Sequence, residues 1–278
     1  MEAWLFSLLV FVAAAGAGFL GSLTGLGGGV VITPVLALLF HVDLRYAIGA
    51  SLVSVIATSS GAASAYVREG YSNIRIGLLL EIATTLGALG GAYLATLLPV
   101  SLLSIILGLV LLYSAYASTR PHPDHVEGTG ADPLADRFRL NGDYIDNGQR
   151  IHYVVRRVKA GFAVMLGAGV ISGLLGIGSG AMKVIAMDQV MRIPFKVSTT
   201  TSNFMIGVTA AASAGVYLSR GFILPEIAMP VMLGVLLGSL TGARQLAGAR
   251  VRPLRILFAL VVGALAIEMI YGGLTGKL

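Results

Sequence analysis

Two strings of glycine interrupt otherwise apolar sequence: Thr24-Gly25-Leu26-Gly27-Gly28-Gly29 and Gly176-Ile177-Gly178-Ser179-Gly180. Inside a helix, glycine costs about 1 kcal/mol against alanine. Backbone that unwinds at membrane depth is tolerated only where protein or a water-filled cavity satisfies its polar groups. A half-helix resuming near Val30 or Ala181 aims free N–H groups and the positive end of its dipole back at the break. That arrangement suits an anion. Close packing through small residues explains Gly87, Gly90, Gly91, Gly234 and Gly238, but contiguous glycines exceed what packing needs. The candidate anion ligands at the breaks are therefore Thr24, Gly27, Gly28 and Gly29 in the first, and Gly178, Ser179 and Gly180 in the second.

Lys183 lies three residues beyond Gly180, in the first turn of the resumed half-helix. A cation there opposes the helix dipole and costs about 2.5–3.5 kcal/mol at the centre of a membrane. Two readings follow: contact with an anionic substrate, or a salt bridge to Asp188 or another acid. Each half next carries a polar run, Ser51, Ser54, Thr58, Ser59 and Ser60 in the first and Thr199, Thr200, Thr201, Ser202 and Asn203 in the second. Their hydroxyls and amide could replace part of an oxyanion's hydration, although Ser and Thr in membrane helices often bond only to their own backbone. Ser51, Thr200, Ser202 and Asn203 are the candidates from these runs. Glu81 and Glu268 are single acids near span ends, either snorkelling or paired with Arg, or else protonatable coupling sites. His41 reads as an interfacial residue. No residue set implies a cofactor or a metal: cysteine is absent, and His122, Asp124 and His125 have no fixed geometry.

The elements that hold these groups follow from composition. Of the 278 residues, 56% are apolar and 12% charged, against about 25% charged in a soluble domain. Charge-free runs cover 3–41, 46–67, 160–182, 197–219 and 227–243, while 76–119 and 256–276 each hold one acid. Runs of this length match the ~20 apolar residues that span a bilayer. The fold class is an all-α polytopic membrane protein, and a soluble enzyme, a nucleic-acid binder and a disordered chain are excluded. The first segment lacks a basic leader region and reads as mature structure. Between Arg120 and Lys159 the composition turns hydrophilic, and 138–145 and 149–155 flank Asn147-Gly148, a strong type I′ hairpin signal.

The chain also repeats itself. Glycines 25, 27 and 29 recur as 176, 178 and 180, Ser51 as Ser202, Thr58 as Thr209, Tyr66 as Tyr217, and Gly87 and Gly91 as Gly238 and Gly242, all at an offset of 151 residues. The predicted organisation is a first membrane repeat over 1–119, a cytoplasmic insert with a β-hairpin over 120–159, and a second repeat over 160–278. Each repeat has about four hydrophobic segments and opens with a Gly-rich broken or re-entrant hairpin. If each break makes such a hairpin, fifteen of the nineteen Lys and Arg share one face, among them Arg68, Arg75, Arg139 and Arg156. Only Arg45, Arg220 and Lys277 face the other way, and Lys183 sits within the second hairpin. The repeats are then inverted and the insert cytoplasmic.

Gly-rich breaks in both halves, followed by Arg45-Tyr46-Ala47-Ile48-Gly49-Ala50-Ser51-Leu52 and by Lys196-Val197-Ser198-Thr199-Thr200-Thr201-Ser202-Asn203-Phe204, resemble the TauE/SafE family of sulfite exporters. The resemblance covers roughly 16–118 and 158–273. It implies a multi-pass bacterial inner-membrane protein that moves sulfite, sulfonates such as sulfoacetate, or related sulfur oxyanions. The first motif continues to Pro34 as in the family, whereas the second has Ile185 at that place and Ser179 for a common glycine.

The leading expectation is a secondary transporter for a sulfur oxyanion, working by alternating access. A negative interior drives anions outward by about 2.3 kcal/mol per charge per 100 mV, so export needs no coupling ion. A permease or channel for another small anion, such as a carboxylate, is the alternative. A membrane-embedded enzyme lacks its nucleophile–base pair or metal cluster. Expected partners are a small anion and the lipid bilayer, without nucleic acid; a homo-oligomer is compatible with the sequence but not specified by it.

Overall fold

The structure is a computed structural model that describes residues 3–24, 29–69, 72–119, 132–146, 149–178, 180–246 and 251–277. The charge-poor runs are helical, as lipid requires of any segment that must satisfy its own backbone. The first half contains α1 (Ala3–Thr24), α2 (Gly29–Leu39), α3 (Leu44–Glu69), α4 (Ile74–Leu97) and α5 (Val100–Thr119). The insert holds the short α6 (Pro133–Arg137) and the strands β1 (Gly142–Asp146) and β2 (Gln149–Tyr153). The second half contains α7 (Val158–Leu175), α8 (Gly180–Ile185), α9 (Phe195–Ser219), α10 (Pro225–Leu246) and α11 (Val251–Thr275). Among the described residues all regular structure apart from one hairpin is helical, and the fold is that of an all-α polytopic membrane protein.

Among the described residues, six helices are long and apolar enough to cross a membrane: α1, α4, α5, α7, α10 and α11. The 25-residue α9 is not one of them, because the polar run from Lys196 to Asn203 lowers its hydropathy. The outer faces are apolar. Helix α4 buries Ile76, Leu80, Ala83, Ala88 and Ala92 and also turns Leu78, Ile82, Leu86, Tyr93 and Leu97 outward. A water-facing helix would place polar side chains at those outward positions; these fit hydrocarbon.

The 151-residue offset holds element by element. Gly29 and Gly180 begin α2 and α8, Leu44 and Phe195 begin α3 and α9, Ile74 and Pro225 begin α4 and α10, and Val100 and Val251 begin α5 and α11. Packing repeats too. Helix α4 lies along α7 and α1 along α10. A Cβ on Gly87 would strike the Leu166 carbonyl, and one on Gly238 would strike the Ala15 carbonyl; these are one contact in two copies, since both members are displaced by 151. Only glycine allows the backbones this close.

Corresponding helices of the two halves run against each other. In the α5–α11 pair, Gly108 lies against Ala266 and Ile270, whereas Gly273 lies against Ser101 and Ser104. In the α3–α9 pair, Tyr46 near the start of α3 meets Phe222 beyond the end of α9, ring centroids 5.7 Å apart. At the opposite end, the Asn73 N–H beyond α3 donates to Thr201 Oγ1 near the start of α9 at 3.1 Å.

In each half, the start of the helix before the break lies beside the end of the half-helix after it. Phe6 in α1 packs edge-on against Phe40, just past α2, at 5.8 Å. In the second half, the Arg156 N–H, two residues before α7, donates to the Met191 carbonyl just past the half-helix, at 3.0 Å. The half-helices differ. Pro34 lies inside α2, but Ile185 stands at its place in α8, which widens at once into a π-helical turn, Ala186–Val190.

The hairpin forms where the sequence predicts one, with Gly142 opposite Tyr153 and Asp146 opposite Gln149; Asn147 and Gly148 lie outside the described residues. Phe138, Arg139 and Leu140, expected in the first strand, instead close α6, with Arg139 in the left-handed region at φ 51°. Asp132 caps α6 and accepts the Val158 N–H at 2.8 Å. Asn73 caps α4 and donates to the Leu140 carbonyl at 2.9 Å and to the Tyr153 hydroxyl at 2.7 Å. The insert is thereby docked on the entry to α4. Burial pushes the Tyr153 phenol above its ordinary pKa, with Asn73 opposing.

Candidate functional site

The two breaks meet at Ser51. Its hydroxyl, buried in α3, points at the Gly176 carbonyl at 2.9 Å and the Gly29 carbonyl at 3.3 Å. In the second half, Ser202 of α9 donates to the Gly180 carbonyl at 3.3 Å. Each serine fastens the start of its own half-helix, and Ser51 also reaches the other repeat. Gly176 ends α7 at φ 65°, giving its N–H to the Ser172 carbonyl, and Gly178 follows at φ 73°. Both occupy the left-handed region that glycine alone enters at little cost. A side chain on Gly176 would meet Ile48 of α3, and one on Gly178 would meet Ile206 of α9 and Val55 of α3. The second break is therefore enclosed by α3 and α9.

Lys183, one turn beyond Gly180, is wholly buried. Its Nζ donates to Thr209 Oγ1 on α9. That hydroxyl donates in turn to Glu81 Oε1 on α4 at 2.6 Å, and Thr85 donates to the same oxygen at 3.2 Å. Thr84 Oγ1 stands 3.4 Å from Thr209 Oγ1. Glu81 Oε2 lies 3.8 Å from Lys183 Nζ and accepts no hydrogen bond among the described residues. The acid beside Lys183 is thus Glu81 and not Asp188, which is buried in the π-helical turn. Glu81 is itself only 7% exposed, so it does not snorkel, and its ion-pair partner among the described residues is Lys183 and not an arginine. Glu268 is exposed on α11 and His41 is exposed past α2.

The other predicted ligands divide. Gly29, Ser51, Gly178, Gly180, Lys183 and Ser202 are buried around the breaks. Thr200 donates to the Lys196 carbonyl of its own helix at 2.9 Å, as Thr199 does to that of Phe195 and Thr58 to that of Ser54. Asn203 is half-buried, with no side-chain partner among the described residues. Gly27, Gly28 and Ser179 lie outside the described residues, and so does the side chain of Thr24. So do His122, Asp124 and His125; among the described residues no group of three His, Asp or Glu could hold a metal ion.

Sequence reasoning missed the Lys183–Thr209–Glu81 chain. The repeat held a clue: Lys183 stands where the first half has Ile32, and Glu81 where the second has Met232. Each charge lacks a counterpart in the other half, and the structure pairs them. Chemically the site offers a buried cation, hydroxyls and unwound backbone, which is equipment for holding an anion.

A family model described as sulfite exporter TauE/SafE matches residues 10–269. The chain belongs to the TauE/SafE family. The match spans both halves and the insert between them. Among curated relatives, Probable membrane transporter protein YunE of Bacillus subtilis (strain 168) is 27% identical over 93% of this chain and 95% of its own length. YdhB of the same organism, with the same description, is 28% identical over 85% and 87%. A Probable membrane transporter protein of Xylella fastidiosa (strain 9a5c) is 27% identical over 95% of both chains. No solved structure matches this TauE/SafE chain.

Proposed function

We propose that this TauE/SafE protein is a secondary transporter that moves a sulfur oxyanion, such as sulfite or an organosulfonate, outward across the bacterial inner membrane by alternating access. The observation that carries the reading is Lys183: a wholly buried cation in the first turn of a half-helix, beside a break of left-handed glycines. Removing a lysine and a carboxylate from water costs more than their mutual attraction readily returns. A pair held at membrane depth against the helix dipole therefore points to a ligand that uses the cation. The anion would sit at the meeting of the breaks, near Gly29, Gly178 and Gly180, within reach of Lys183. The fasteners Ser51 and Ser202 would hold the two half-helix starts around it, and Thr24, Gly27, Gly28, Ser179, Thr200 and Asn203 complete the proposed lining.

The motion follows from the halves. We read them as inverted repeats, 1–119 and 160–278, joined by the cytoplasmic insert 120–159. Support comes from the antiparallel α3–α9 and α5–α11 pairs and from the reversals that return α2 and α8 toward their side of entry. Rocking one half against the other about the breaks exposes a central anion to either side in turn. The excess of Lys and Arg on the face that carries the insert supports a cytoplasmic location for that face.

Purified protein in liposomes tests the substrate. Under an outward anion gradient, sulfite and sulfoacetate flux saturates and exceeds acetate flux. Equal or faster acetate flux would refute the sulfur assignment while leaving an anion permease; no flux of any of the three would refute the transporter reading.

A further inference from the structure

Glu81 already occupies the position of an anion: its carboxylate faces Lys183 from 3.8 Å and takes the Thr209 hydroxyl hydrogen at 2.6 Å. We propose that Glu81 is a tethered stand-in for the substrate, and that an arriving anion displaces it from Lys183 while Glu81 takes up one proton. The inference rests on the permease reading and adds to it a proton-binding site coupled to the anion site.

With Lys183 cationic and Glu81 ionised, the empty site is neutral. An added anion beside an ionised Glu81 would leave an uncompensated negative charge in the interior where Lys183 and Glu81 are buried, which is the costly state for a buried group. One proton on Glu81 removes that excess. Oε2 is the place for it, because among the described residues this oxygen accepts no hydrogen bond, and a protonated Oε2 could donate to the incoming oxyanion. The proton is taken up from the bulk solution together with the anion, which is its counter-charge in the site, so charge balances. Thr209 is the hub, since it accepts from Lys183 and donates to Glu81.

The surroundings leave Lys183 as the charge that matters. Helix α7 brings Lys159 to α4, exposed at its entry, and α9 brings Lys196, exposed at its start, and Tyr217, bonded to the Leu174 carbonyl at 3.2 Å. Arg75 of α4 itself is exposed at the first turn, and Asp188 lies in the π-helical turn beyond Lys183. Among the described residues only Lys183 is within ion-pair distance of Glu81. A singly charged anion then crosses without net charge, and a doubly charged one carries a single net charge on which the membrane potential still acts.

Anion binding tests this directly, read as thermal stabilisation of the purified full chain in detergent. The probes are sulfoacetate and methanesulfonate, whose own charges are constant across the neutral range. Taking up a proton on binding makes affinity fall as pH rises, about tenfold per pH unit while Glu81 is ionised in the free protein. Glu81→Gln mimics the protonated acid and should bind with the tight, low-pH affinity at every pH; Glu81→Asp should keep the slope. Should Glu81→Gln fail to fold, the wild-type chain in weak buffer still answers, taking up about one proton per anion bound. Wild-type binding without a pH slope, or a slope that persists in Glu81→Gln, overturns the proton site and leaves the permease standing. Failure of the wild type to bind either probe overturns the sulfonate reading on which this one rests.

Discussion

Lys183 and Glu81 come from opposite halves and meet in the interior, and single and paired substitutions there separate structure from transport. Removing one member of a buried ion pair typically costs 3–5 kcal/mol, about, because the other charge is left uncompensated. Lys183→Met should therefore lower stability by about that amount in denaturant unfolding, and adding Glu81→Leu should recover much of it. If the double variant were less stable than Lys183→Met by a further few kcal/mol, the two side chains would not be acting as a pair. Gly178 makes a second residue-scale case. At φ 73° and against Ile206, Gly178→Ala should cost about 1–2 kcal/mol from the left-handed backbone alone, read as a lowered melting temperature. The glycines and Lys183 were legible in the sequence because their types are unusual in apolar runs. The pairing of Lys183 with Glu81 was not, since 102 residues separate them and only the packing of α4 against α7 and α9 joins them. Nor could the sequence say which hydroxyls face the breaks. Ser51 and Thr200 sit in similar polar runs, yet Ser51 ties two breaks and Thr200 bonds its own helix.

At the scale of elements, charge-poor apolar runs located the helices, and Asn147-Gly148 located the hairpin. The divergence of α8 from α2 was visible only as the substitution of Ile185 for Pro34; its outcome, a π-helical turn, depends on how the chain passes Met191 and Ile193, whose N–H groups reach back to the Ala186 and Met187 carbonyls at 3.1 and 3.0 Å. Docking of the insert was illegible, because it runs through Asn73, a residue that composition marks only as loop. Asn73 caps α4 and makes two bonds to the insert. Replacing it with Ala should cost about 1–2 kcal/mol for the cap alone, and more for the lost bonds. Hydrogen exchange should show the β1–β2 amides losing protection in Asn73→Ala, while α10 is unchanged. Unaltered protection of the hairpin would mean that the insert is held by other contacts.

For the whole molecule, the 151-residue repeat was legible as a register, and the structure adds that corresponding helices pack antiparallel. An inverted arrangement puts Arg68 and Arg139 on one side of the membrane and Arg220 on the other. The chain has no cysteine, so single Cys substitutions at these sites can be labelled from either side without background. Arg68→Cys and Arg139→Cys should react from the same side and Arg220→Cys from the opposite one; labelling of Arg68→Cys and Arg139→Cys from opposite sides would contradict the inversion. The central claim is that the anion passes Lys183. It is tested most directly by sulfite and sulfoacetate flux through liposomes holding either wild type or Lys183→Met, with the Lys183→Met, Glu81→Leu protein as a folded control. The account predicts saturable flux in the wild type and at least a tenfold loss in both variants, the folded control included. Saturable flux with unchanged affinity in a variant without Lys183 would contradict it.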